Sequence, residues 1–212
     1  MDTETKLREA LCEYGRILYD RGLAHGSAGN LSARLADNSM LVTPTNSCLG
    51  RLAPERISRI AADGTRLSGD APSKETFFHL AVYQERPTAN AIVHLHCTHS
   101  VAVSCLCHAD AANVLPPITA YHVMRIGKLP LVPYFRPGDR KLAAAVREVA
   151  KDHHAMLLAN HGPIVAGNSL ADAVYASEEL EETARLFFLL QGHTTRFLSL
   201  EQVRELEAAF PS

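Results

Sequence analysis

Leu-Ser-Ala-Arg-Leu-Ala-Asp-Asn-Ser-Met-Leu-Val-Thr, residues 31–43, holds two short strand-like runs, Leu31–Leu35 and Met40–Thr43. The turn formers Asp37-Asn38-Ser39 separate them. Two such runs so close together predict a β-hairpin, and a hairpin makes its strands antiparallel. The sheet built on it is therefore expected to be mixed or mostly antiparallel, in a layered α/β fold. A Rossmann fold, with its parallel sheet, is not expected.

Working outward, Leu7, Ala10, Leu11, Tyr14 and Leu18 recur at helical spacing, and Gly22 is placed to stop that helix. Beyond the hairpin, a helix is expected over about Ser73–Gln84, with Phe77, Leu80 and Ala81 on one face. Ala91–Cys97 reads as a short strand and Ser100–Leu106 as a helix. Pro133–Pro137 reads as a loop, and Leu142, Ala145, Val146 and Val149 mark another helix. Ala155–Ala159 and Ile164–Ala166 read as strands around the turn Asn160-His161-Gly162-Pro163. A long helix from about Leu170 to Leu190 and a short closing helix complete the chain. No repeat or low-complexity linker interrupts it, so residues 1–212 read as one α/β domain.

The 212 residues are 47% hydrophobic, enough for a core without staples. Lys and Arg number 21 against 23 Asp and Glu. That balance lacks the basic excess of a nucleic-acid or membrane-surface protein, so neither partner is expected. The five cysteines are odd in number and include no Cys-x-x-Cys, which predicts reduced thiols. Met1–Arg8 is charged, with no apolar signal core, and no apolar run approaches the roughly 18 residues of a membrane span. A cytoplasmic location is expected.

Val93-His94-Leu95-His96 carries the strongest chemical signal. Residues i and i+2 of a strand share a face roughly 6.5–7 Å apart, a spacing from which two imidazoles reach one ion. His161, in the turn after a buried strand, is the candidate third ligand. A lone His-x-His is also common in cores and on surfaces. The other histidines are His25, His79, His99, His108, His122, His153, His154 and His193, and most have no chelating partner at strand or helix spacing. His153 and His154 read as surface residues, and His99 as structural. Glu75 opens a helix, where an acid is ordinary because it complements the dipole. Gly26-Ser27-Ala28-Gly29-Asn30 and Thr43-Pro44-Thr45-Asn46-Ser47 are turns rich in small polar groups, and Ser73 lies near a helix start. Such turns can cradle an anion, although each alone is more simply a turn. No Walker loop is present, since no Gly-Lys-Ser/Thr follows the glycines.

Taken together, five ordered segments resemble the class II aldolase/adducin family over nearly the whole chain. They are Gly26-Ser27-Ala28-Gly29-Asn30-Leu31-Ser32, Thr43-Pro44-Thr45, Pro72-Ser73-Lys74-Glu75, His94-Leu95-His96 and Asn160-His161-Gly162. Within the family the chain is most similar to the branch that decarboxylates 3-oxo-tetronate 4-phosphates. Four features carry that likeness. They are Ser47-Cys48-Leu49-Gly50, Lys74 where sugar-phosphate aldolases usually carry Ser, Val132-Pro133-Tyr134-Phe135-Arg136-Pro137-Gly138-Asp139, and Glu178-Glu179-Leu180-Glu181-Glu182-Thr183-Ala184.

The resemblance implies a three-layer α/β/α sandwich with a central, mostly antiparallel sheet. It implies a cyclic homotetramer with sites at subunit interfaces. His94, His96 and His161 match the ligands of one divalent ion, expected to be Zn2+. Glu75 matches the acid that touches the ion when the site is empty and moves protons when substrate binds. Gly29, Asn30, Thr45, Ser73 and Lys74 match the phosphate-binding turns. Asn46 stands where the family usually has Gly, and Asn tolerates positive φ better than most residues. Tyr121 matches an acid that reaches into a neighbouring subunit's site. The implied substrate is a small phosphorylated sugar acid, a β-keto acid. It would lose carbon dioxide through a metal-stabilised enediolate and give dihydroxyacetone phosphate after protonation at C2 by Glu75 or Tyr121. An aldolase or epimerase acting on a sugar phosphate would use the same ion. A non-catalytic adducin-like module is opposed by the presence of all three histidines.

Overall fold

The computed structural model describes residues 3–107, 110–136 and 138–210. Met1, His108 and Pro137 lie outside the described residues. The chain opens with α1 (Thr3–Asp20), β1 (Asn30–Arg34) and β2 (Met40–Val42), followed by two 3-10 turns, Leu49–Arg51 and Pro54–Arg56. Next come β3 (Ser58–Ile60), β4 (Arg66–Ser68), α2 (Thr76–Glu85), β5 (Ala91–His94), α3 (Thr98–Ser104) and α4 (Ala120–Arg125). The chain continues through β6 (Leu131–Val132), α5 (Lys141–Ala150), β7 (Ala155–Leu158), β8 (Gly162–Gly167), α6 (Leu170–Leu189) and α7 (Leu200–Ala209).

One eight-stranded sheet runs in the order β4-β3-β2-β1-β5-β8-β7-β6. Every pairing is antiparallel except β6 with β7. The expected mostly antiparallel α/β/α sandwich is what the chain forms. Successive strand residues face opposite sides, so each strand feeds two cores. Met40, Val42, Ile60, Ile92, Met156 and Ile164 pack under α2 and α5. Leu31, Leu41, Val93 and Leu95 pack against α1 and α6 on the other face. Val103 of α3 joins Leu157, Val165 and Leu180 on that same side. Leu11, Leu31, Ile92 and Val165 are fully buried, each contributing about 1.5–3 kcal/mol.

Local chemistry explains most boundaries. Gly22, at φ +74, ends α1: its N–H reaches Tyr19 O at 2.9 Å, and Leu23 N–H reaches Leu18 O at 2.9 Å. That pair of bonds satisfies carbonyls that a helix end leaves orphaned. In the hairpin turn Asn38 sits at φ +63, and Asp37 Oδ1 accepts from the backbone N–H of Ser39 at 3.0 Å.

Several boundaries differ from expectation: α3 covers Thr98–Ser104 rather than Ser100–Leu106, and β8 takes in Gly162 and Pro163 of the expected turn. The second helix begins at Thr76 rather than Ser73. Pro44 bridges to Pro72, and Ser73 N–H donates to Thr43 O at 3.2 Å, so residues 72–73 stay extended. The strand expected over Ala91–Cys97 ends at His94. β3, β4, β6 and α4 were not expected. Among the described residues no helix is long and apolar enough to cross a membrane. All five cysteines are free.

Candidate metal centre

Three connections converge at one end of the central strands. His94 closes β5, pairing with Asn30 of β1 on one side and Ile164 of β8 on the other. His96 follows two residues later, outside the strand, where Leu95 N–H still reaches Pro163 O at 3.4 Å. His161 sits between β7 and β8, next to Asn160 at φ +55. A Cβ on Gly162 would lie 2.3 Å from Leu95 O, so only glycine lets this turn approach the His96 segment so closely. Gly29 plays the same part on the other flank, where a Cβ would lie 2.9 Å from His94 O. Glu75 reaches in from the residue just before α2.

Ring centroids of the three histidines are 4.8–4.9 Å apart, with near-perpendicular planes. His94 Nε2 lies 3.0 Å from His96 Nε2 and 3.4 Å from Glu75 Oε2, and His161 Nε2 lies 3.2 Å from Glu75 Oε1. Donors arranged tetrahedrally about 2.0–2.1 Å from one ion stand about 3.3 Å apart. The four side chains are therefore spaced as ligands of a divalent ion, and they form a cluster able to hold one.

Protonation agrees with that use. His94 Nδ1 bonds Pro163 O at 2.8 Å. A carbonyl only accepts, so Nδ1 carries the proton and Nε2 presents a bare lone pair to the cluster. Burial pushes His94 down to about 4 and lowers His96 as well. Burial alone would raise Glu75, but neighbouring His94 and hydrogen bonds from His161 and Asn30 outweigh it, holding the carboxyl well below the usual range. A bare Nε2 on His94 and an ionised carboxylate on Glu75 both suit a cation.

The polar turns are tied together at their bases. Thr43 Oγ1 accepts from Leu31 N–H at 3.2 Å, and Thr45 N–H donates to Ala71 O at 2.9 Å. Asn46 is exposed at φ +54, so asparagine does hold the left-handed turn the family usually gives to Gly. Ser73 Oγ accepts from Glu75 N–H at 3.2 Å. Lys74 is exposed and has no side-chain partner among the described residues. Asn30 is 4% exposed, and its amide is engaged by Glu75 at 2.7 Å and His79 at 2.6 Å. Its side chain thus faces the acid.

Tyr121, on α4, is 59% exposed and lies outside the four-residue cluster. It lines a surface cleft with Arg21, Arg125, Tyr175, Glu178 and Glu182. His99 is structural, as expected: Glu181 accepts from its Nδ1 and its backbone N–H, each at 2.9 Å. His154 is not a surface residue, since it is partly buried with Nε2 on Arg125 O at 2.9 Å. His79 was passed over in the sequence, yet it is fully buried beside the centre. Its spacing of four residues from Glu75, one helical turn, is the signal that would have found it.

The description Class II Aldolase and Adducin N-terminal domain matches residues 9–188. A 3-oxo-tetronate 4-phosphate decarboxylase from Escherichia coli (strain K12) is 52% identical over 205 residues, 97% of each chain. An L-fuculose phosphate aldolase from Haemophilus influenzae is 36% identical over 195 residues, 89% of this chain and 86% of that one. The crystal structure of YgbL from Escherichia coli superposes with a TM-score of 0.95 at 51% identity, covering 97% of this chain and 99% of that one.

Proposed function

The chain belongs to the class II aldolase and adducin family, and we propose that it decarboxylates 3-oxo-tetronate 4-phosphate to dihydroxyacetone phosphate and carbon dioxide. The observation that carries this reading is the 52% identity to a decarboxylase of that name over 97% of both chains. The whole chain acts as one domain, in the cytoplasm.

His94, His96 and His161, with Glu75, hold one divalent ion. Three imidazoles and a carboxylate favour zinc. The ion, when bound, supplies Lewis-acid stabilisation where negative charge develops on the substrate. The C1–C2 bond breaks, its electron pair stays on the C2 side, and C2 then takes up a proton. Glu75, ionised in the free protein, first takes up a proton from solvent and then gives it to C2, where a positioned carboxyl acts as a general acid. Backbone and hydroxyl groups of Gly29, Asn30, Thr45, Asn46 and Ser73 hold the phosphate. The test is incubation of the metal-loaded protein with 3-oxo-tetronate 4-phosphate, with dihydroxyacetone phosphate expected as product. Cleavage of L-fuculose 1-phosphate with the tetronate left intact would make it an aldolase.

Lys74 bears on substrate choice. A 3-oxo-tetronate 4-phosphate carries a phosphate and a carboxylate, whereas an aldolase substrate carries the phosphate alone. Lys74 has no side-chain partner among the described residues and stands between Ser73 and Glu75, so its ammonium is available to the phosphate. A tight pair with the leaving carboxylate would instead stabilise the ground state and slow its loss. Lys74→Ser is expected to raise KM about ten-fold or more, as loss of a charge-assisted hydrogen bond of about 1.5–3 kcal/mol would. Metal content should be unchanged. Unaltered kinetics would remove Lys74 from the specificity account.

Tyr121 acts from a neighbouring subunit. It is exposed and lies apart from its own chain's cluster, so only a shared site gives it access to substrate. Light scattering is expected to report about four times the chain mass of 23.1 kDa, and Tyr121→Phe should lower turnover in that tetramer. A fully active monomer would end the shared-site reading.

A further inference from the structure

Glu75 terminates a buried hydrogen-bond chain that begins at Tyr83. The Tyr83 hydroxyl lies 2.9 Å from Ser32 Oγ, which lies 2.7 Å from His79 Nδ1. His79 Nε2 lies 2.6 Å from Asn30 Oδ1, and Asn30 Nδ2 lies 2.7 Å from Glu75 Oε2. Ser32 and His79 are 0% exposed, so water does not compete for these bonds.

The direction of every bond follows from the last one. An ionised carboxylate only accepts, so the amide nitrogen of Asn30 must face Glu75. The amide oxygen then faces His79, and His79 Nε2 must carry a proton. His79 Nδ1 is left bare and accepts from the Ser32 hydroxyl. Ser32, having donated, accepts from Tyr83. Burial pushes His79 down to about 3, so it stays neutral with one proton. Phe78 stacks on its ring, with centroids 5.0 Å apart and planes 15° apart, and fixes the ring plane.

We propose that His79 is a positioning residue for the reaction: through Asn30 it fixes Glu75 Oε2, leaving Oε1 as the oxygen that exchanges a proton with substrate. This rests on the proton-carrying role of Glu75 given above. Asn30 alone is not enough, because an amide can flip end for end. A partner at Oδ1 that only donates makes one orientation the satisfied one, and the flipped orientation sets donor against donor and leaves buried groups unpaired. Oε2 is thereby tethered beside His94, while Oε1, whose neighbour is His161, is the oxygen that the Asn30 tether does not engage.

The test compares two variants of the metal-loaded enzyme with the wild type. His79→Leu removes both ring nitrogens, and His79→Gln restores a donor and an acceptor on a chain of similar reach. His79→Leu is expected to lower kcat about 10–100-fold, the range for partners that orient a functional group. KM should stay near the wild-type value, and His79→Gln should recover most of kcat. Unchanged kcat in folded His79→Leu, or loss that His79→Gln does not relieve, overturns the proposal. If Glu75→Gln lowers kcat while His79→Leu does not, only the positioning role falls. If neither does, the proton-carrying role falls too. Neutron diffraction on the wild-type protein decides the chain should the leucine variant fail to fold. A hydrogen on His79 Nε2 and none on Nδ1 is expected, and the reverse tautomer contradicts the proposal.

Discussion

Alanine at His94 or His161 is expected to abolish both bound metal and carbon dioxide release. Each imidazole supplies one of four donors whose spacings of 3.0–3.4 Å suit a single ion. With one gone, the remaining three offer an incomplete site, and Glu75 loses a partner as well. The two variants differ in what else they cost. His94 is fully buried between β1 and β8, so His94→Ala leaves a cavity beside Phe78 and removes one of the two contacts to Pro163 O, which keeps only Leu95 N–H at 3.4 Å. The cavity and the lost hydrogen bond should make this variant melt earlier as well. His161 lies in a turn with a side chain 16% exposed, and His161→Ala should stay close to wild-type stability. Loss of metal from a folded protein in that variant is the cleaner result. Full zinc retention in both, by elemental analysis, would sink the assignment.

Glu75→Gln should lower kcat about 10²–10⁴-fold with the protein folded and metal still bound. The amide copies the carboxyl's shape but has one acceptor and one donor. Its oxygen takes the Asn30 bond that Oε2 now makes at 2.7 Å, which puts an NH2 where Oε1 stood. That group neither accepts nor delivers the proton. Near wild-type turnover in this variant would return Glu75 to the ordinary role of an acid ahead of a helix.

Much of this was legible in the residues because local chemistry wrote it there. The Asp37-Asn38-Ser39 turn, the Gly22 stop and the Leu170 to Leu189 helix each follow from turn chemistry or periodicity. What stayed hidden depends on pairing across the fold. β3, β4 and β6 are two or three residues long and owe their existence to neighbouring strands, so no alternation marks them. Ser73 reads as the start of a helix but is pulled into an extended path by Thr43, and that displacement leaves Glu75 just outside the helix, facing the histidines. Of the site, the three clustered histidines are visible as a motif and a turn. The chain behind Glu75 is not, because Ser32, His79 and Tyr83 come from two elements that meet only when α2 lies on the sheet. The side-chain amide of Asn30 is committed to Glu75 and His79, which leaves its backbone for the phosphate contact that the resemblance implies.

The most direct test follows the carboxyl carbon. Substrate carrying 13C at C1 of 3-oxo-tetronate 4-phosphate is given to one preparation in three states: as loaded with metal, stripped by a chelator, and reloaded with zinc. The label should appear as carbon dioxide and bicarbonate in the first state, stay in the substrate in the second, and be released again in the third. Release that persists at full rate in the stripped protein, or a loaded protein that leaves the label in place, would contradict metal-dependent decarboxylation at His94, His96 and His161.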